Sequence, residues 1–85
     1  MDTGDRLRIR PFIEEMLREH DDRAAFADDE SLFKTGRLDS LSMIKLVTFL
    51  ESEFEVDFGR IEFDPERLDS VAEIAAIVEE SRRLA

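Results

Sequence analysis

Apolar residues that recur at helical spacing are the feature that most constrains what this chain can fold into. In the first such segment, from about Asp5 to His20, the recurring residues are Ile9, Phe12, Ile13, Met16 and Leu17. This spacing places all of them on one face of an α-helix. Because short helices are marginal in water, that face must be buried against other helices. Pro11 predicts that the regular part of the helix begins near it, since proline has no backbone N–H to donate.

Three more helical segments follow, and the signals for strands are weak. A helix from about Ser40 to Phe54 has an apolar arc made of Met43, Leu46, Val47, Leu50 and Phe54. A short third helix is predicted to begin at Pro65, with Asp64 as its N-cap. The last helix is predicted to begin near Ser70, with an apolar stripe of Val71, Ile74, Ala75 and Val78. The predicted fold class is all-α: a small four-helix bundle with a long loop between the first two helices and a short third helix.

The long connection between the first two helices runs from about Asp21 to Leu38. Loops of this length are uncommon in compact domains and are often functional. Leu32 and Phe33 are expected to hold it against the core. Its cluster of acidic residues is Asp28, Asp29 and Glu30. Because the spaced oxygen ligands and central glycine of an EF-hand loop are absent, we predict no metal site here, with a loose divalent-ion site as the alternative.

Size and charge exclude several classes of function. The chain has 85 residues, which predicts one domain over 1–85. Its net charge of −10 argues against nucleic acid as a partner and favours basic protein surfaces. It contains no cysteine, so any thiol chemistry must come from a cofactor. No apolar run reaches membrane-spanning length, and Met1 to Arg10 lack the apolar core of a signal peptide, so we expect a cytoplasmic protein that does not bind membranes.

The start of the second helix carries the chemically informative residues. Asp39 is a good N-cap, because its carboxylate can accept a hydrogen bond from a backbone N–H of the first turn. Ser40 then falls at the first helical position, with its hydroxyl near the surface at the end of the long loop. A phosphate attached to this hydroxyl would lie near the positive end of the helix dipole. The position therefore suits an attached anion.

These residues carry a resemblance to a known family. Asp39-Ser40-Leu41 opens an amphipathic helix that continues with Leu46, Val47, Leu50, Glu51, Glu53 and Phe54. Together with the segment Leu68-Asp69-Ser70-Val71-Ala72-Glu73-Ile74 and the first helix, this pattern resembles the acyl carrier protein family over most of the chain. The tripeptide alone would be weak support. Its position, the helix behind it, the size and the acidity make the resemblance specific.

The resemblance implies a carrier that is not itself an enzyme and has no catalytic residues. Ser40 would be the attachment residue for 4′-phosphopantetheine, with Asp39 and Leu41 as its motif neighbours. A phosphopantetheinyl transferase would deliver the group from coenzyme A. An acyl- or aminoacyl-loading ligase and downstream transferases would be the other partners, and the carrier itself is expected to be a monomer. The cargo, held as a thioester, is left open by the sequence.

The second helix is the recognition element that the resemblance implies. The residues expected to contact partners are Ile44, Lys45, Thr48 and Glu51. Fatty-acid carriers of this family commonly have acids where this chain has Ser42 and Lys45. A lysine there would repel basic partners, which predicts a specialised pathway rather than general fatty-acid synthesis. The alternative is that Lys45 merely pairs with a nearby acid.

Other readings of the sequence compete with this one. Ser70 also follows an aspartate, but Glu73 three residues later makes a capping box, so we predict a structural cap. His20, the only histidine, is predicted to be a solvated residue at a helix end. The alternative function is an unmodified acidic helical module that binds basic proteins. A small hydrolase is disfavoured because no nucleophile–base pair is visible.

Overall fold

The structure, a computed structural model, describes residues 3–84 as an all-helical chain. Its α-helices are α1 (Thr3–Glu19), α2 (Ser40–Glu53) and α3 (Val71–Leu84). The third helix that the sequence predicts is a short 3-10 helix, Pro65–Leu68. Its N-cap is Asp64, whose carboxylate accepts a hydrogen bond from the Glu66 amide at 3.0 Å. Within residues 3–84 there are three α-helices and no strand, so the four-helix bundle is not confirmed. The predicted single domain over 1–85 stays a prediction, and its ends, residues 1, 2 and 85, lie outside the described residues.

The prediction that α1 becomes regular only near Pro11 is wrong. The helix begins two turns earlier, at Thr3, and Pro11 lies inside it on an exposed face. The carbonyl that would accept from residue 11 belongs to Leu7, which is largely exposed, so water can replace the missing donor. The early turns are also held in place by tertiary contacts: Arg82 of α3 donates to both oxygens of the buried Asp5 at 2.5 and 2.6 Å.

The core is built by the predicted apolar stripes of the helices and by residues from the connections. Of the predicted stripes, the fully buried residues are Ile9, Ile13, Met16, Leu17, Leu46, Leu50, Val71, Ile74, Ala75 and Val78. Phe49 lies off the arc of α2 and stacks on Phe12 of α1, with ring centroids 4.1 Å apart. The two helices therefore meet through an aromatic pair at the edge of the core.

The long loop is held to the core by side chains and by one buried carboxylate. Leu32 is fully buried and Phe33 packs partly against the core, which confirms both predictions. Asp69 accepts hydrogen bonds from the Ser31 hydroxyl at 2.5 Å and from the amides of Phe33 and Lys34 at 2.7 and 3.2 Å. Burial raises the pKa of Asp69, but these donated hydrogen bonds outweigh it, so the pKa lies below its ordinary value.

Several acidic residues of the loop are paired with arginines. Arg6 and Arg10 both donate to Asp28, at 3.0 and 2.6 Å. Arg37 makes two hydrogen bonds to Asp22, at 2.9 and 3.1 Å, and a third to Glu30 at 2.7 Å. In residues 3–84 no group of acids or histidine is arranged to hold a metal ion, so nothing supports the loose divalent-ion site. None of the helices described is long and apolar enough to cross a membrane.

Candidate functional site

The N-terminus of α2 presents an exposed serine behind a well-formed cap. Asp39 has an extended backbone, and its Oδ1 accepts a hydrogen bond from the Ser42 amide at 3.0 Å. The same oxygen accepts from the Ser42 hydroxyl at 3.1 Å. Ser40, the first residue of the helix, is exposed, and the next residue, Leu41, is 60% exposed. The cap that the sequence predicts is therefore present, and the serine beside it is open to solvent.

The charge at this site comes from Asp39. The hydrogen bond donated by the Ser42 amide holds the pKa of the Asp39 carboxyl below its ordinary value, against a smaller opposing effect of burial. The Ser42 hydroxyl and the nearby His20 imidazole lower it further. A carboxylate thus stands directly before Ser40 at neutral pH. Because the Ser42 amide already donates its hydrogen bond to Asp39, a phosphate on Ser40 could not accept from that amide. The phosphate would still be stabilised by the positive end of the helix dipole.

Within residues 3–84 no side chain forms a hydrogen bond with the Ser40 hydroxyl. A serine that attacks a substrate needs a base within hydrogen-bonding reach to take its proton. The arrangement around Ser40 instead suits a hydroxyl that accepts a group from a separate enzyme. Its exposure on the first turn of a helix gives that enzyme direct access.

The second Asp-Ser triplet has the opposite geometry. Ser70 is only 3% exposed, and its Oγ accepts a hydrogen bond from the Glu73 amide at 3.2 Å. The same hydroxyl donates to the Glu73 carboxylate at 3.0 Å. The predicted role of Ser70 as a structural cap is confirmed. Of the two serines that follow an aspartate, Ser40 is exposed, whereas Ser70 is buried and hydrogen-bonded.

His20 is exposed just after the end of α1, as predicted, but its imidazole also makes a side-chain contact that the sequence did not indicate. Its Nε2 lies 3.0 Å from the Ser42 hydroxyl oxygen and 3.8 Å from Asp39 Oδ1. The long loop returns to the end of α1 and so brings the start of α2 against this histidine. Sequence reasoning missed both His20 and Ser42 as site residues, because the only signal was their position at the two ends of one loop.

Three of the four predicted partner-contacting residues line one groove. This shallow groove of about 370 Å³ lies between α1 and α2, with Phe12 and Phe49 at its apolar base. Its rim includes Ile44, Lys45 and Thr48. The fourth residue, Glu51, is exposed on α2 but does not line the groove. Ile44 is 63% exposed, so the surface next to Ser40 is markedly apolar.

Lys45 pairs with an acid, which is the alternative that the sequence left open. Its Nζ lies 3.0 Å from Glu19 Oε1, and both side chains are about half exposed. An exposed pair of this kind contributes little to stability but reduces the positive potential that Lys45 presents to a partner. The first turn of α2 contains no acid either. The α2 surface nearest Ser40 is therefore far less negative than the chain as a whole.

Comparisons with known proteins show which family the chain belongs to. The family described as "Phosphopantetheine attachment site" matches residues 8–78 of the chain. The D-alanyl carrier protein of Lacticaseibacillus rhamnosus is 41% identical over 54 residues, which cover 64% of this chain and 67% of that protein. The D-alanyl carrier protein of Streptococcus pyogenes serotype M5 (strain Manfredo) is 38% identical over 73 residues, which cover 80% of this chain and 92% of that protein. No solved structure matches the chain with significance.

Proposed function

The chain belongs to the phosphopantetheine attachment site family, and from this membership we propose that Ser40 is the residue that carries the prosthetic group. The protein is a carrier rather than an enzyme, and carriers of this family hold 4′-phosphopantetheine covalently. The group, when bound, supplies the thiol on which cargo rides as a thioester. The chain itself has no cysteine that could do so.

One observation carries the choice of Ser40: its hydroxyl is exposed at a capped helix N-terminus, whereas the hydroxyl of Ser70 is buried and already bonded. The environment fits a phosphodiester, because the N-terminal end of α2 carries the positive end of a dipole from a helix of 14 residues. Asp39 orders the first turn, and the exposed Leu41 gives a modifying enzyme an apolar contact beside the serine. These features support attachment at Ser40.

Intact mass after modification tests the attachment site. The protein, incubated with coenzyme A and a phosphopantetheinyl transferase, should gain one prosthetic group, and Ser40→Ala should abolish the gain. Ser70→Ala is the matched control, because it removes the other hydroxyl that follows an aspartate. It should lower the free energy of unfolding by about 1 kcal/mol through the lost cap, yet leave the mass gain intact. A gain that persists in Ser40→Ala would reject the site. No gain in the unmutated protein would favour the unmodified acidic interaction module instead.

We propose that the partners approach the exposed side of α2. The transferase, the loading ligase and the downstream transferases would contact Ile44, Thr48 and Glu51 beside Ser40, with Lys45 at the edge of the groove. The apolar character of this face supports contacts that depend more on buried area than on charge. A monomeric carrier at work in the cytoplasm, away from nucleic acid and membranes, remains our prediction for the whole protein.

For the cargo, we propose an aminoacyl group, D-alanine, in a specialised pathway. The support is the name of the relatives, which are D-alanyl carrier proteins, and the presence of Ser42 and Lys45 where fatty-acid carriers commonly have acids. Because Lys45 pairs with Glu19, it alone does not set this specificity. The missing acids on the first turns of α2 matter as much, since basic partners of fatty-acid synthesis would find little to bind there.

Loading assays test the cargo. The modified protein should accept D-alanine from a D-alanine–carrier ligase with ATP, and should be a poor substrate for general fatty-acid elongation enzymes. Lys45→Glu should improve the second reaction by restoring an acid, and Glu19→Gln, which frees the lysine charge, should make it worse. Efficient elongation on the unmutated carrier, together with no D-alanine loading, would contradict the proposal.

A further inference from the structure

His20 closes a chain of hydrogen bonds that ends at the residue before Ser40. It directly follows the last residue of α1, and its Nε2 lies 3.0 Å from the Ser42 hydroxyl oxygen. That oxygen lies 3.1 Å from Asp39 Oδ1. The three side chains come from the two ends of the long loop, so the contact ties the end of α1 to the start of α2. Ser42 in the middle of this link is only 3% exposed, whereas the side chains of His20 and Asp39 are 37% and 57% exposed.

The direction of each hydrogen bond follows from the chemistry of the groups. An ionised carboxylate can only accept, so the single hydroxyl proton of Ser42 is donated to Asp39. The Ser42 oxygen must then accept from His20, which requires a hydrogen on Nε2. A neutral imidazole with its hydrogen on Nε2 meets this requirement, and so does the charged form. The contact is therefore available in both protonation states of the histidine.

We propose that His20 is a positioning residue for the modification of Ser40. Acting through Ser42, it holds the Asp39 carboxylate in one orientation and so fixes the backbone from which Ser40 is presented to the transferase. This inference rests on the proposed attachment at Ser40. Small displacements of a reacting hydroxyl are costly to a rate, so a relay that fixes its neighbour affects the reaction without touching the substrate.

His20 lies among charged groups, so it could act either through a positive charge or through its hydrogen bond to Ser42. Those that face it or adjoin it in the chain are Glu19, Asp21, Asp22, Arg37 and Asp39, and Lys45 is paired with Glu19. If the positive charge of His20 were what mattered, a neutral donor in its place would slow the modification. In the proposed role a neutral donor serves equally well, so a glutamine in its place should suffice.

The test compares three variants at position 20 in the transferase reaction with coenzyme A. His20→Gln keeps an N–H donor of similar reach. His20→Met keeps a side chain of similar length but has no donor, and His20→Ala loses both the length and the donor. We expect kcat/KM to stay within about two-fold for glutamine and to fall about five-fold for methionine and alanine, which is the effect of losing one ordinary hydrogen bond. Ser42→Ala should cause a similar fall, and combining it with His20→Met should add nothing more.

Controls separate this inference from the proposed function and from general instability. Ser70→Ala weakens the fold at a distant cap and should leave kcat/KM unchanged. Circular dichroism confirms that each variant is folded, and the glutamine–methionine pair keeps the comparison valid if alanine unfolds. A methionine variant as fast as the unmutated protein, or a glutamine variant as slow as methionine, overturns the positioning role. Modification that persists in Ser40→Ala overturns the proposed function instead.

Discussion

At the scale of single residues, one buried carboxylate organises the long loop. Asp69 is 5% exposed and accepts hydrogen bonds from one hydroxyl and two amides of the loop segment 31–34. Neutralising the carboxylate would weaken these hydrogen bonds and leave one oxygen with a proton to donate. Because that segment leads into the turn before Ser40, the order of the candidate site depends on a residue far from it in sequence.

The lowered pKa of Asp69 makes the stability of the fold sensitive to acid. The native state binds its proton less readily than the unfolded chain, so the stabilisation is fully present above the ordinary aspartate pKa. It is lost as pH falls below about 4, through the native pKa. Asp69→Asn should lower the free energy of unfolding at neutral pH by about 2 kcal/mol. It should also flatten the decline of stability in acid.

Denaturant unfolding at a series of pH values measures this effect. Asp29→Asn is the matched control, because Asp29 is exposed in the same loop and its loss should change little. An Asp69→Asn variant with the stability of the unmutated protein, or with the same dependence on pH, would show that the loop is held by its apolar residues alone.

The site could be predicted from sequence where its residues are neighbours in the chain. Asp39, Ser40 and the capping role of Ser70 all depend on spacings of one to three residues, and local geometry determines them. The contact between His20 and Ser42 spans 22 positions and depends on the path of the loop. That path is determined by the tertiary contacts of Asp69, Arg37 and Leu32, which no periodicity reveals.

At the scale of elements, the phase of α2 determines which residues face the core and which face partners. Leu46 and Leu50 are fully buried, whereas Ile44 projects into solvent beside the groove. The sequence predicted this division, because the helical period alone determines it. Sequence reasoning failed at Pro11, where tertiary contacts of the early turns, such as Asp5 with Arg82, outweigh the local cost of proline. At Pro65–Leu68 it predicted the start of a short helix and its Asp64 cap, and these four residues form a 3-10 helix.

Two alanine substitutions on α2 test this division. Leu50→Ala should lower the free energy of unfolding by about 2–5 kcal/mol through lost burial and a cavity. Ile44→Ala should cost little stability, since its side chain is exposed, but should weaken binding to the transferase or the ligase. Thermal unfolding and a binding titration provide the two measurements. Equal destabilisation by both substitutions would mean that the helical phase is misassigned.

At the scale of the whole molecule, a strongly acidic chain exposes two apolar side chains near Ser40 on α2, those of Leu41 and Ile44. The net charge is −10, yet the first turn of α2 contains no acid, and Lys45 is paired with Glu19. Composition predicted recognition by charge, because it averages over the surface. We therefore attribute long-range attraction of basic partners to the excess of acids in the chain and local fit to the α2 face.

The most direct test of the account is the position of the prosthetic group on the unmutated protein. After reaction with the transferase and coenzyme A, trypsin should release residues 38–45 as one peptide, because it cleaves after Arg37 and after Lys45. Fragment ions that break the peptide on either side of Leu41 distinguish Ser40 from Ser42. We predict that the added mass lies on Ser40. Added mass on Ser42 or on the peptide 68–82, which contains Ser70, would contradict the account.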